Sequence, residues 1–299
     1  MYEIVSGIAR SERVFINVRD SREEAEVFSG IDPQLWDSIQ PVRIQTNEPW
    51  CRDHGPMFVE RGGVTLATCW QFTGWGGKYE PYDDDARAAM AMAAQARIPA
   101  RRIGHVLEGG MLDADGKGTA LVSRLAFLNP NRNPELDEGR AAQVLERELG
   151  IDRIVWLDTQ VRGDDTDGHV DTYVRFVGPG KILVCLEPDG SDYVRVMGAI
   201  RDTCPSIEVI ELPPPAPLVI HGDEVPASYA NFYIANSAVL LPTFDQPGDA
   251  VAVEVFSEIF PDRTIVPIDC VELIWGLGAI HCLTCPVPAG GGKPAALPA

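Results

Sequence analysis

Two short segments, far apart in the chain, hold the residue types that attack on a cationic carbon requires. One is Ile280-His281-Cys282-Leu283-Thr284; the other is Asp167-Gly168-His169-Val170-Asp171. A thiol attacks as its thiolate, and a free pKa of roughly 8.5 leaves little of that form at neutral pH. A nearby imidazole or a bound cation shifts the balance toward thiolate, and separated carboxylates would hold that cation. A guanidinium fits, being planar, charged and matched by carboxylates in a bidentate fashion. These residues point to an enzyme acting on a guanidine, with Cys282 as nucleophile.

Composition narrows the remaining classes. The chain has 299 residues, enough for one large closed domain or two ordinary ones, and its hydrophobic content is that of a globular protein. A formal net charge of −19 argues against a nucleic-acid partner, whose phosphates need Lys and Arg. The same charge suits long-range steering of a small cation, although many soluble proteins are simply acidic. Seven cysteines, an odd and scattered set, speak against a disulfide framework and for a reducing, cytoplasmic setting. Residues 1–13 lack the apolar core and small-residue cleavage site of a signal peptide. No apolar run approaches the ~20 residues that span a bilayer. A homo-oligomer is compatible with all of this.

The elements that must position such a site recur along the chain as two short strands, a helix and a further strand. The first unit has strands at 57–59 and 64–68 around Arg61-Gly62-Gly63, a hairpin signal. Its helix covers 83–97, stopped by Pro99, and its last strand 102–107. The second has strands at 111–113 and 119–122, a helix at 134–149 closed by Gly150, and a strand at 154–157. The third runs through strands 172–177 and 182–186, helix 193–203 and strand 207–212. The fourth runs through 229–235, 238–241, helix 248–260 and strand 264–268. A doubly wound sheet also alternates strands and helices, but a hairpin in every unit speaks against an all-parallel one.

The candidate chemical groups precede the first strand of successive units: Asp53 the first, Glu108 the second, His169 and Asp171 the third. His169 and Asp171 are expected to share one face of a strand, whose side chains alternate with period two. Cys282 is expected on a lone strand after the fourth unit. Equivalent positions in a ring of repeats converge on its axis.

Several blocks carry a family resemblance. They are Trp50-Cys51-Arg52-Asp53-His54-Gly55-Pro56, Leu107-Glu108-Gly109-Gly110, Asn129-Pro130-Asn131-Arg132-Asn133-Pro134, the run from Gly163 to Asp171, and Gly276-Leu277-Gly278-Ala279-Ile280-His281-Cys282. In order and over nearly the whole chain they resemble the Porphyromonas-type peptidylarginine deiminases of the guanidine-modifying superfamily, and among these the agmatine deiminases. The resemblance implies an α/β fold of pentein type, five ββαβ blades in a propeller with pseudo-fivefold symmetry. It implies one catalytic domain over 1–285, with a disordered Pro/Gly/Ala-rich tail over 286–299.

The activity it implies is hydrolysis of the guanidino group of agmatine to N-carbamoylputrescine and ammonia, through a covalent S-alkylthiouronium on Cys282. His169 would shuttle protons, Glu108 would orient His169, and Asp53 and Asp171 would grip the guanidinium. Trp50 and Asp167 join the implied substrate-binding set, and no metal or organic cofactor is implied. Three positions depart from the family pattern: Cys51 stands where a small residue is usual, Ala279 where many relatives carry Asn, and Cys285 where many carry Gln.

The family also usually begins with a further segment, whereas this chain starts inside the helix that would follow. A fifth unit would then be assembled from 280–284 and pieces around 4–9 and 14–18. Its second hairpin strand lacks a candidate, which predicts an unpaired edge on the strand carrying Cys282.

Other readings compete at each position. Arginine or peptidylarginine could replace agmatine, free arginine needing a cationic partner for its carboxylate that the motifs do not single out. Cys282 and Cys285 form Cys-x-x-Cys, readable as a redox dithiol of an inactive relative or as half a zinc site, though no second ligand pair follows. Cys69, Cys185, Cys204 and Cys270 read as inert buried thiols. His54 and His281 read as orienting groups at most, His105 and His221 as structural. Asp164, Asp165 or Asp167 could be loop acids or could meet a distal amine. Gly74-Trp75-Gly76-Gly77-Lys78-Tyr79 lacks P-loop spacing and reads as an aromatic loop over the pocket mouth.

Overall fold

Gly62 and Gly63 both take positive φ, 58° and 78°, the backbone of a tight hairpin turn that a side chain would strain. That turn belongs to the first of four like units in the structure, a computed structural model that describes residues 1–188 and 190–288. Before it come α1 (Tyr2–Ala9), β1 (Val14–Asn17), α2 (Ser21–Ser29), β2 (Ile39–Val42) and the single turn α3 (Cys51–His54). The first unit comprises β3 (Met57–Arg61), β4 (Val64–Gln71), the turn α4 (Gly74–Gly77), α5 (Asp85–Gln95) and β5 (Ala100–Val106).

The second comprises β6 (Leu112–Ala114), β7 (Thr119–Ser123), the turn α6 (Arg124–Phe127), α7 (Glu138–Leu149) and β8 (Arg153–Leu157). The third comprises β9 (Val174–Gly178), β10 (Lys181–Val184), α8 (Ser191–Thr203) and β11 (Glu208–Glu211). A small hairpin, β12 (Leu218–Ile220) and β13 (Asp223–Val225), leads to the fourth: β14 (Tyr233–Ile234), β15 (Ala238–Thr243), α9 (Gly248–Ile259) and β16 (Thr264–Asp269).

Each unit forms its own three-stranded sheet with the second strand in the middle, antiparallel to the first and parallel to the third. A helix between the second and third strands supplies the crossover that a parallel pair needs. Val122, Val144 and Leu145 belong to the second unit's core and Ile200 to the third's, while Leu183 of the third unit packs with Leu240 and Phe256 in the core of the fourth. In α1, Gly7 lets the helix approach the fourth sheet, where an added Cβ would stand 3.2 Å from Leu240. Among the described residues no helix is long and apolar enough to cross a membrane.

Several expectations need correction. Residues 280–283 form a turn, not a strand, so the predicted open edge beside Cys282 does not arise. Residues 4–9 are helical within α1, and β1 pairs in parallel with β2, a strand the sequence reading passed over, as it did α2 and the β12–β13 hairpin. His169 caps, and Asp171 lies within, a 3-10 turn over Val170–Thr172, because Thr172 and Tyr173 bond back to residues 169 and 170. The helix expected from 134 begins at Glu138, where Asp137 caps it, since Asn133 is held by Val106 and Phe127. The expected 229–235 strand is cut to Tyr233–Ile234. From residue 289 onward the tail expectation falls outside the described residues.

Candidate active site

Asp53 is the first acid of the site, carried by α3. Its Oδ1 accepts the Gly110 backbone N–H at 2.9 Å and its Oδ2 the Trp75 indole N–H at 3.0 Å. Trp75 reaches inward because it takes a left-handed conformation, φ 52° and ψ 46°, between glycines of positive φ. Trp50, Phe72 and Trp75 form an apolar wall packed with Cys282. Trp50 itself lies on Gly276 and Gly278, where an added Cβ would come within 2.8 and 2.7 Å of its ring.

Glu108 follows β5, whose end is pinned by two Asn133 bonds to Val106, each 2.9 Å. The carboxylate is fully buried and takes both sides of Arg132, from Nε at 2.9 Å and Nη2 at 3.2 Å. Its Oε2 also meets His169 Nε2 at 2.9 Å. Gly110 makes room for that imidazole, since a Cβ there would lie 2.2 Å from Nδ1. Gly109 does the same for Arg52.

The loop before His169 is tied by Asp164, which accepts the Thr166 N–H at 3.0 Å and the Gly168 N–H at 2.8 Å. Asp167 Oδ2 is bound by Arg132 Nη1 at 2.6 Å and Lys78 Nζ at 2.8 Å. Lys78 also reaches the Asp165 carbonyl, and Tyr79 the Asp165 carboxylate. The glycine-rich aromatic loop is thereby fastened across to the loop bearing His169.

Cys282 sits in the last turn, held by the Arg52 N–H on its carbonyl at 3.0 Å. Its Sγ donates to Asp171 Oδ2 at 3.6 Å and receives the Asn231 Nδ2–H at 3.2 Å. The same Asp171 oxygen meets His281 Nδ1 at 2.7 Å, while Asp171 Oδ1 is buried with no hydrogen-bond partner. An orphaned carboxylate oxygen beside a thiol is what a missing donor would satisfy.

Burial and neighbours set the charges. Burial pushes Asp171 up to about 6, with Asp53 adding to it and His169 opposing. Burial would lower His169, but Asp53, Glu108 and Asp171 outweigh it and carry the imidazole up to about 9. Burial works to raise Glu108, yet His169 and Arg132 hold it below the usual carboxylate range. Burial drives the Cys282 thiol well above its ordinary value, reinforced by Asp171 and Asp53. Burial, with Arg175 and Arg52 nearby, keeps His281 neutral, so its Nδ1–H is the proton facing Asp171. The site thus holds a protonated thiol and an imidazolium among its acids.

A family model for Porphyromonas-type peptidyl-arginine deiminases matches residues 1–288. The chain belongs to that family. Among its relatives is an agmatine deiminase from Pseudomonas putida, 35% identical over 84% of this chain and 77% of its own. Another, from Ectopseudomonas mendocina, is 34% identical over 86% and 78%. A C. jejuni agmatine deiminase structure with substrate bound superposes with a TM-score of 0.84 at 26% identity, covering 94% of this chain and 84% of that one. The Enterococcus faecalis agmatine deiminase gives 0.84 at 26%, covering 94% and 85%. The α/β fold is that of the pentein deiminases.

In this deiminase-family chain the structure brings together Asp53, Glu108, His169, Asp171 and Cys282, although not on the strands expected. Trp50 lies behind Cys282, and Asp167 is engaged by Arg132 and Lys78. Cys285 turns its thiol to the Pro56 carbonyl at 3.3 Å. Among the described residues no group of three His, Cys, Asp or Glu side chains is arranged to hold a metal ion. Sequence reasoning passed over four groups. Arg132 lies in one of the family-like blocks and Trp75 in the aromatic loop, but nothing in the sequence marks their partners. His281 reads from sequence as an orienting group, and the fold supplies Asp171 as its partner. Asn231 carried no signal at all.

Proposed function

We propose that the protein hydrolyses the guanidino group of agmatine, giving N-carbamoylputrescine and ammonia. The observation that carries this reading is the placing of the Cys282 sulfur against the carboxylate of Asp171, with the partnerless Oδ1 and Asp53 facing an imidazolium. The agmatine deiminases among its relatives favour agmatine as the guanidine. We also infer that the four units and the α1–β1 segment stand as five blades about one axis, which accounts for site residues arriving from the start of each unit.

A guanidinium settling between Asp53 and Asp171 neutralises the charges that hold the thiol protonated, and the thiol releases its proton to solvent. The thiolate adds to the guanidinium carbon, held in line by the two carboxylates. His169, oriented by Glu108 through Nε2, gives its Nδ1 proton to the departing amine, and ammonia leaves a thiouronium on Cys282. The neutral imidazole then takes a proton from water, whose oxygen adds to the same carbon. As the sulfur is expelled it takes up the proton of the added hydroxyl, which completes the urea and restores the thiol. Trp50 and Trp75 wall the pocket, and Asp167 braces it through Arg132 and Lys78. The chemistry needs no cofactor; the acidic composition suits a small cation, and the scattered cysteines suit a reducing, cytoplasmic setting.

Ammonia release from agmatine, arginine and an arginyl peptide, measured in parallel, tests the reading. Agmatine should be turned over fastest. A preference for arginine or the peptide would move the substrate, and no ammonia from any of the three would overturn the proposal. A dithiol role for Cys282 and Cys285 is disfavoured by the turn of the Cys285 thiol toward Pro56.

A further inference from the structure

We propose that Asn231 is a positioning residue for the nucleophile, its amide N–H holding the Cys282 sulfur ready for attack. The proposal rests on the reading of Cys282 as nucleophile. Asn231 lies in the bend that leads into β14 and is 4% exposed. Its Nδ2 donates to Cys282 Sγ at 3.2 Å and to the Asp171 carbonyl at 3.3 Å. Its Oδ1 accepts the Cys282 N–H at 3.3 Å, and its backbone carbonyl accepts the His281 N–H at 3.0 Å. One side chain thus clamps the cysteine at both backbone and sulfur, and ties its turn to the turn bearing Asp171.

The chemistry of the contact is specific to an amide. The charged groups that act on the sulfur are Asp171 from the 3-10 turn and Asp53 from α3, with His281 bonded to the same Asp171 oxygen and the Arg52 N–H on the cysteine carbonyl. The two acids favour the thiol form. At Sγ the thiol donates to Asp171 and receives the Asn231 amide N–H, the one side-chain donor there among the described residues; the backbone at Ala279 works in the same direction as Asn231. A donor to sulfur favours the thiolate, whereas an acceptor favours the thiol. Asn231 can donate to sulfur and accept from the backbone at once; an ionised aspartate of the same shape can only accept.

Asn231→Asp and Asn231→Ser test this, read by two measurements on the full chain. One is the rate of iodoacetamide modification of Cys282 at fixed pH, followed by mass spectrometry; the other is steady-state ammonia release from agmatine. Asn231→Asp should slow modification at least about tenfold, the scale of one hydrogen bond to a charged group. It should lower kcat at least as far and leave KM within about threefold, because the guanidinium contacts stay in place. Asn231→Ser, neutral and shorter, should fall between Asn231→Asp and wild type.

Modification of folded Asn231→Asp at the wild-type rate would overturn the proposal. If circular dichroism shows that Asn231→Asp does not fold, Asn231→Ser decides by the same comparison. Full turnover by wild-type protein whose Cys282 is completely alkylated would instead sink the nucleophile reading. The modification rates would then still show whether Asn231 controls the sulfur.

Discussion

The Nδ1 of His169 stands 3.7 Å from Oδ1 of Asp53, beyond hydrogen-bond range, while its Nε2 is bound to Glu108 at 2.9 Å. One nitrogen is anchored and the other left open, charged and pointing at the acid that would hold substrate. A proton on Nδ1 can therefore move without breaking the bond that orients the ring. His169→Ala should lower kcat by about 10²–10⁴, the usual contribution of a positioned general acid–base. A covalent adduct on Cys282 should accumulate in that variant, visible by intact-mass spectrometry. Full activity in His169→Ala would remove the imidazole from the mechanism.

Both acids bear on the thiol, Asp171 more strongly and as the acceptor of its hydrogen bond. Asp53→Asn and Asp171→Asn should each reduce kcat/KM at least about a hundredfold, the scale of losing one partner of a buried charge pair. Asp171 also holds the Cys282 thiol protonated. Alkylation of Cys282 by a neutral reagent should therefore quicken in Asp171→Asn even as turnover falls. Slower alkylation there would show that Asp171 does not restrain the thiol.

Cys282→Ser should abolish turnover with the fold kept, serine being nearly isosteric but a far weaker nucleophile. Cys285→Ser should keep most activity, because that thiol donates to the Pro56 carbonyl rather than to a group of the site. Equal loss in the two folded variants would restore the dithiol reading.

Stability should fall as pH rises through the alkaline range, and His169 should be a cause. Its folded pKa of about 9 exceeds its ordinary 6.5. The folded state thus binds the proton more tightly, a contribution complete below about 6.5 and lost as pH rises through 9. Asp171, raised to about 6 from 3.8, acts with the same sign at lower pH. Glu108 acts oppositely, its depressed pKa stabilising the fold above the ordinary value of 4.5 and failing as pH falls. Urea unfolding of His169→Asn should show a flatter pH dependence than wild type between pH 6.5 and 9. Parallel slopes would mean that the imidazole is not charged in the folded protein.

Gly110→Ala probes the packing beneath the chemistry. A Cβ there would lie 2.2 Å from His169 Nδ1, so the ring must shift. The variant should lose at least about a hundredfold in kcat, as small misplacements of reacting groups do, with its far-ultraviolet circular dichroism unchanged. Wild-type kcat would mean that the ring has freedom the packing denies.

What the sequence made legible followed short-range physics. Gly62-Gly63 marks its hairpin because the turn needs positive φ, and Gly150 closes α7 for the same reason. The acids, His169 and Cys282 were readable because charge and nucleophilicity belong to residue types. The turn at 280–283 was not: Ile280 and Leu283 look strand-like, and only Arg52 and Asn231, remote in the chain, bend the segment. Asn231 escaped for a related reason. An amide bears no charge, and its importance comes entirely from what the fold sets beside it.

The junctions that precede the units have a consequence for how the protein would fail. Asp53, Glu108, the His169–Asp171 turn, Asn231 and Cys282 each hang from a different stretch of chain, and each sheet closes on its own strands. Local opening of any one unit withdraws one member while leaving the other sheets intact. Inactivation on mild heating should then precede the loss of bulk secondary structure, its onset set by whichever unit exchanges its amide hydrogens first.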